Sequence, residues 1–232
     1  MSNNLAAKGN FRAFREAVLL VDTHPLVLNI GGGEGGVGEA ELRASTLEIV
    51  VSDVAVGAAT NVGADAHRLP FADATFDGVV AQAVLEHVLD PWVCVEEIHR
   101  VLKHNGIVYA ETPFMQQVHM GRYDFTRFTE LGHRRLFRRF EEIDAGPAVG
   151  PGSALAWSVV YFIASFARNR RVRRMLSAAG RVMFFWLRWF DRLLETDAAH
   201  DAASGFYFLG RRSDVVLSDQ ELIAQYRGGI EL

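Results

Sequence analysis

An apolar pentapeptide, Leu26-Val27-Leu28-Asn29-Ile30, runs directly into Gly31-Gly32-Gly33-Glu34-Gly35-Gly36. The apolar run is bounded by His24-Pro25 on one side and by glycines on the other, which reads as a buried strand entering a tight turn. Glycines there let the backbone take positive φ and approach a ligand with no Cβ in the way. A helix expected over 37–43 would point its free N–H groups at the same place. A strand, glycine turn and helix in this order belong to the family of parallel α/β sheets rather than to bundles or sandwiches.

The rest of the chain repeats the alternation. A helix is expected over 11–22. Further strands are expected over 47–52, ending at Asp53, over 76–81 and over 106–111, ending at Thr112-Pro113. Pro91 suits the first turn of a helix that runs to about Lys103, where His104-Asn105-Gly106 stops it. Two more strands are expected over 140–145 and 205–209, separated by a long helical stretch that exceeds an ordinary connection and is read as an insertion. We expect a doubly wound α/β sheet in one domain of 232 residues. Within it, 1–25 would be an N-terminal helix, 26–150 a ligand-binding core, 151–200 a helical cap, and 201–232 a final strand and tail.

Composition narrows the setting. Half of the residues are hydrophobic and 22% are charged, which excludes disordered and low-complexity classes. A single cysteine, Cys94, cannot form an internal disulfide or a multi-thiolate zinc site, and fits a reducing compartment. Residues 1–10 are polar and lack the apolar centre of a secretory signal, so a cytoplasmic protein is expected. The uncharged run 145–167 is broken by glycines and prolines and is too short for an unkinked membrane span.

The glycine loop allows two ligand readings. Gly31-x-Gly33-x-x-Gly36 is a dinucleotide fingerprint, and Gly31-x-Gly33-x-Gly35 is the loop of S-adenosylmethionine-binding domains. Asp53, at the end of the second strand, would accept hydrogen bonds from ribose hydroxyls under either. The blocks that follow separate them. They are Ala64-Asp65-Ala66-His67-Arg68-Leu69-Pro70-Phe71, Phe76-Asp77-Gly78-Val79-Val80-Ala81-Gln82-Ala83-Val84-Leu85-Glu86-His87-Val88, and Glu97-Ile98-His99-Arg100-Val101-Leu102-Lys103.

In this order the blocks resemble the class I S-adenosylmethionine-dependent methyltransferases of the type 11 group, closely over about 26–115. The resemblance implies a seven-stranded Rossmann-like sheet with the last strand antiparallel, and S-adenosylmethionine as cofactor. It implies that Gly31, Gly33 and Gly35 line the methionine part of the cofactor and that Asp53 takes the ribose. Asp65 and the backbone of Ala66 would face the adenine amino group, with Gln82 beside the sulfonium. On local signals alone the alternative for Asp65 is a carboxylate that caps the next helix. This chain departs from the family in two places. Asn29 stands where an acid is common, and the short interval from Asp53 to Asp65 makes 54–61 a loop.

Methyl transfer needs in-line alignment, and a base when the acceptor carries a proton that must leave. The segment after the Gly106 strand, 112–128, starts at the sheet edge over the cofactor and is expected to face the acceptor. His119 is the candidate base, Asp124 its orienting carboxylate, and His87 a competing histidine near the methyl donor. Arg122 and Arg127 are candidates for an acceptor phosphate or carboxylate, or for salt bridges with Asp124 and Glu130. The histidine spacing predicts no metal.

Charge is uneven along the chain. Residues 121–192 hold 14 arginines and six acids, while the whole chain carries -4. Two aromatic-rich helices joined by a basic turn are expected over 154–190. Their surface suits peripheral contact with the inner face of a membrane, a lipid-linked acceptor, or packing within the fold or a homodimer. The acidic whole argues against nucleic acid.

The expected activity is O-methylation of a small-molecule, sugar or lipid-linked glycan acceptor by a monomer or homodimer. A nicotinamide-dependent oxidoreductase and a non-catalytic binding module stand as the alternatives.

Overall fold

The computed structural model describes residues 7–34, 41–42, 46–193 and 196–229. Gly35 and Gly36, and all but two residues of the helix expected over 37–43, lie outside them. The strands are β1 (Leu26–Ile30), β2 (Glu48–Asp53), β3 (Val62–Gly63), β4 (Phe76–Gln82), β5 (Leu102–Pro113), β6 (Phe140–Val149) and β7 (Gly205–Arg212). They form one seven-stranded sheet in the order β3-β2-β1-β4-β5-β7-β6. β1 through β5 run parallel, and β7 lies antiparallel between β5 and β6. This is the Rossmann-like arrangement expected from the sequence. The strand order reverses between β1 and β4, so a crevice opens at their carboxyl ends.

Helices cover both faces. α1 (Ala7–Leu19) buries Phe11, Phe14 and Val18, one stripe at helical spacing, against Val27, Val80, Ile107 and Tyr109. There is no room for anything larger than glycine at position 78, where a Cβ would stand 2.9 Å from the Phe14 ring. On the other face, α2 (Pro91–Val101) buries Cys94, Val95, Ile98 and Val101 with Leu28, Val79, Val108 and Phe208. Burial pushes the Cys94 thiol up to about 12, which makes it a packing residue. Asp90 caps α2 by accepting from the N–H groups of Trp92 and Val93, with Pro91 in the first turn.

α2 stops two residues before the expected end. Leu102 turns extended (ψ 138°) and pairs with Phe76 at the edge of β4, so the strand begins where the helix ends. Asn105 takes positive φ (61°) in the irregular stretch before Gly106. Buried Asp77 pins this region by accepting from Leu26 N–H at 3.0 Å and pairing with Lys103 at 2.9 Å.

After α3 (Glu130–Leu136) and β6 comes the insertion: α4 (Pro151–Ser165), α5 (Arg170–Phe184), a 3₁₀ segment (Phe185–Arg192) and α6 (Asp197–Asp201). A short α7 (Asp219–Ile223) follows β7. The expected basic turn is instead the beginning of a helix. Arg170, Arg171, Arg173 and Arg174 fall in the first turns of α5, which starts at an Asn169 cap. The 3₁₀ segment folds back so that Asp191 accepts from Gly152 N–H at 2.7 Å and from the Ser153 hydroxyl at 2.6 Å, capping α4 from forty residues downstream. No helix among the described residues is long and apolar enough to cross a membrane.

Candidate active site

Two turns meet at the crevice. After β1, Gly31 takes φ +71°, and a Cβ there would lie 2.5 Å from Val84 Cγ2 in the turn after β4. Gly32 is buried, and a Cβ on it would stand 2.3 Å from Asn29 Nδ2. Gly33 donates its N–H to Asp53 Oδ2 at 3.1 Å, while Asp53 Oδ1 accepts from Ala55 N–H at 2.8 Å. The glycine turn and the carboxylate at the end of β2 therefore form one hydrogen-bonded wall. Segment 54–61 is a loop, as the short spacing required.

The wall continues across β4. Gln82 donates from Nε2 to Glu111 Oε2 at 2.9 Å, and Glu111 also accepts from the Tyr109 hydroxyl. Ala83, next to Gln82, is held at φ +54°, a conformation costly for a residue with a Cβ and commonly found at binding sites. Asp65 is 63% exposed, and its Oδ1 accepts from the backbone N–H of His67 at 2.9 Å and contacts His67 Nδ1 at 2.6 Å. Those hydrogen bonds hold its carboxyl below the usual range. Asp65 therefore has the turn-cap geometry, with Ala66 buried behind it.

Beyond the end of β4, residues 32 positions apart converge. His87 Nε2 and His119 Nε2 stand 3.1 Å from each other, their rings edge-to-face. Glu86 Oε1 lies 3.6 Å from the first and 3.8 Å from the second. His87 Nδ1 is 2.7 Å from the Tyr123 carbonyl, which can only accept. His119 is fixed by Asp124, whose Oδ2 accepts from the His119 backbone N–H at 2.8 Å and lies 3.3 Å from its Nδ1.

Arg127 grips Asp124 with both terminal nitrogens, and this holds the Asp124 carboxyl far below the carboxylate range. Arg127 thus makes the salt bridge rather than facing outward, and Arg122 lies over the Tyr123 ring. Burial pushes the Glu86 carboxyl up to about 8, opposed by the nearby Arg127 charge. Burial likewise lowers His87.

Backbone bonds hold the two loops in register, with Phe125 N–H donating to Glu86 O at 2.8 Å. The insertion braces the same segment. Gln117 Nε2 donates to Ser158 Oγ at 3.0 Å, and the Tyr161 hydroxyl donates to Val118 O at 2.9 Å. Sequence reasoning missed Glu86 and Glu111. Glu86 stood in the quoted block beside His87, but nothing in its spacing announced that residue 119 would arrive against it.

The residues present suit S-adenosylmethionine. A turn stripped of Cβ atoms admits close backbone approach, and a strand-end carboxylate beside it can accept from hydroxyls. Residues 28–110 match a family model described as "Methyltransferase domain". Among solved structures, a putative sarcosine dimethylglycine methyltransferase from Galdieria sulphuraria superposes with a TM-score of 0.59 at 17% identity, covering 91% of this chain and 86% of that one. The 1,6-didemethyltoxoflavin-N1-methyltransferase of Burkholderia thailandensis, solved with S-adenosylhomocysteine, gives 0.54 at 13%, covering 89% and 80%.

The matching core is therefore similar to a methyltransferase domain, and the chain has the fold of those solved methyltransferases. Demethylmenaquinone methyltransferase from Mycobacterium sp. (strain KMS) is 32% identical over 117 residues, 46% of this chain. The chain spans about half the length of the curated relatives it matches.

Proposed function

We propose that the whole chain is an O-methyltransferase that acts on an apolar or lipid-linked small-molecule acceptor. The observation that carries this reading is the Asp124–His119–His87 cluster beside the carboxyl end of β4. A hydroxyl acceptor must lose its proton as its oxygen bonds to the methyl carbon and the methyl–sulfur bond breaks. An imidazole held by a carboxylate on its far nitrogen is suited to take that proton. His119 is the base in this reading, Asp124 orients it, and His87 packs its ring against it. Gly31, Gly33, Gly35 and Asp53 hold the methionine and ribose parts of the donor, Asp65 and Ala66 the adenine side, and Gln82 the sulfonium end. When bound, the cofactor supplies the electrophilic methyl group.

The apolar acceptor is supported by the insertion. Val172, Met175, Val182 and Met183 lie on one side of α5, and all are exposed. The opposite side meets α4, where Gly180, the one buried residue of the helix, faces Val160. The helix thus presents its apolar face outward, with Arg171 beside it and Arg173, Arg174 and Arg181 on the side toward α4, and Trp186, Trp189 and Phe190 extend the exposed surface. We read this surface as resting on an anionic bilayer, where acceptors with long apolar tails reside. The name of the demethylmenaquinone relatives, which implies a quinone acceptor for those proteins, agrees with an acceptor of this kind.

The test is transfer of labelled methyl from S-adenosylmethionine to a panel of polyprenyl-linked sugars, quinols and soluble phenols, with wild type, Asp53→Ala and His119→Ala. The reading expects a labelled methyl ether. Asp53→Ala would weaken donor binding, and His119→Ala would bind donor yet lose transfer by ~10²-fold or more. Equal turnover by His119→Ala, or label on nitrogen or carbon, would overturn the oxygen reading.

A further inference from the structure

Two imidazole nitrogens facing each other pose a problem of charge. His87 Nδ1 sits 2.7 Å from a carbonyl oxygen, so that nitrogen carries the proton and the lone pair is on Nε2. His119 Nδ1 lies 3.3 Å from the Asp124 carboxylate, and with the proton on that nitrogen the lone pair is on Nε2 as well. The two Nε2 atoms nevertheless stand 3.1 Å apart, with Glu86 Oε1 at 3.6 and 3.8 Å. Three electron-rich atoms converge on one point, and a cation is what such a point attracts. Glu86 adds an independent sign. Its side chain is 1% exposed, and its second oxygen, Oε2, is buried with no hydrogen-bond partner among the described residues. A buried carboxyl oxygen without a hydrogen-bond partner is uncommon, and a bound cation is one way to satisfy the group.

The distances select the cation. A triangle with sides of 3.1, 3.6 and 3.8 Å has its equidistant point about 2.0 Å from each corner, the usual length of zinc–nitrogen and zinc–carboxylate bonds. We propose that Glu86, His87 and His119 form a mononuclear site for a divalent transition-metal ion of the zinc class. Two imidazoles and one carboxylate disfavour magnesium and calcium, which prefer oxygen ligands.

The outer contacts are those of a built site. The Tyr123 carbonyl and the Asp124 carboxylate each hold the far nitrogen of one histidine, and Arg127 holds Asp124. His87 and His119 stay 19% and 28% exposed, which leaves an open side for a further ligand. If the O-methylation reading above holds, that ligand is the acceptor oxygen. The ion lowers the affinity of the hydroxyl for its proton, which passes to water. The oxygen then bonds to the methyl carbon as the carbon–sulfur bond breaks, leaving a neutral thioether. In the ion-bound state His119 acts as a ligand, and the role of base passes from it to water.

The full chain, stripped with a chelator, is titrated with Zn(II) by calorimetry and with Co(II) by visible spectroscopy, alongside Glu86→Gln and His119→Ala. One equivalent per chain is expected, with the intense visible bands of a low-coordinate Co(II) site. Each variant should bind at least 100-fold more weakly. Wild type and variants binding alike, or only the pale spectrum of hydrated Co(II), would overturn the site and leave a proton shared by the two histidines.

If the variants do not fold, histidine ring signals of the wild-type chain decide. Two rings shifted by Zn(II) support the site, and unshifted rings sink it. Titrating the same metal-free protein with S-adenosylmethionine separates the two claims. Donor binding without ion binding removes only the ion. Ion binding without donor binding removes the methyltransferase reading and leaves the site standing.

Discussion

Gly31 and Val84 touch across the mouth of the crevice so closely that a single methyl on Gly31 would lie 2.5 Å from Val84 Cγ2. The turns after β1 and β4 are therefore fitted to each other, and Gly31 must also keep φ +71°. Gly31→Ala should cost about 1–3 kcal/mol of stability and weaken S-adenosylmethionine binding. Adding Val84→Ala relieves the clash but not the backbone strain, so it should restore only part of the loss. Chemical denaturation and calorimetric titration of the two variants measure both effects, and full recovery in the double variant would show that φ was not limiting.

Asp191 is the cap of a helix that begins forty residues earlier. Asp191→Ala leaves the N–H groups of Gly152 and Ser153 without their acceptor, and should destabilise the insertion by about 1–2 kcal/mol. Hydrogen exchange should accelerate in 151–165 while β1, β4 and β5 keep their protection. Uniform acceleration across the sheet would mean that insertion and sheet unfold as one unit.

His133 is fully enclosed, against the rings of Phe128 and Phe137, and burial lowers it to about 3 from an ordinary 6.5. Burial lowers His99 as well. Between pH 6.5 and about 3 the unfolded chain therefore binds a proton at residue 133 that the folded chain refuses. Stability from this source is complete above pH 6.5 and drains away as the pH falls through that window. Urea denaturation at pH 7.5, 6 and 5 should show a steeper loss for wild type than for His133→Leu. Parallel losses would place the acid sensitivity elsewhere.

The outward apolar face of α5 predicts co-sedimentation with vesicles containing phosphatidylglycerol and little with pure phosphatidylcholine. Binding should fall at high salt. Because a basic residue near an anionic surface contributes about 1 kcal/mol, Arg171→Glu, beside the apolar face, should weaken it about fivefold or more. Met175→Asp with Val182→Asp should weaken it further by the apolar route. Vesicle binding unaffected by either change would point away from α5.

Much of this architecture was legible because it is written in local pattern. Leu26 to Ile30 and the glycines after it specify a strand and turn without help from the rest of the chain, and Pro91 marks its helix as plainly. Where the reading slipped, distant partners decided. The end of α2 is set by Leu102 finding Phe76 in the sheet, a contact that no helical period reveals. In α5 the amphipathic spacing is visible, yet the direction of its apolar face depends on Gly180 meeting Val160. The candidate site shows the same limit. His87 and His119 were singled out separately, but their meeting depends on backbone bonds such as Phe125 to Glu86.

The hydrogen bonds from α4 to the loop before His119 have a mechanical consequence. Ser158 and Tyr161 hold Gln117 and Val118, the two residues just before His119, and the same helix packs against α5. The outward-facing α5 and the loop that carries His119 thus hang from one helix. A force that seats or tilts α5 would pass through α4 to the residue next to His119.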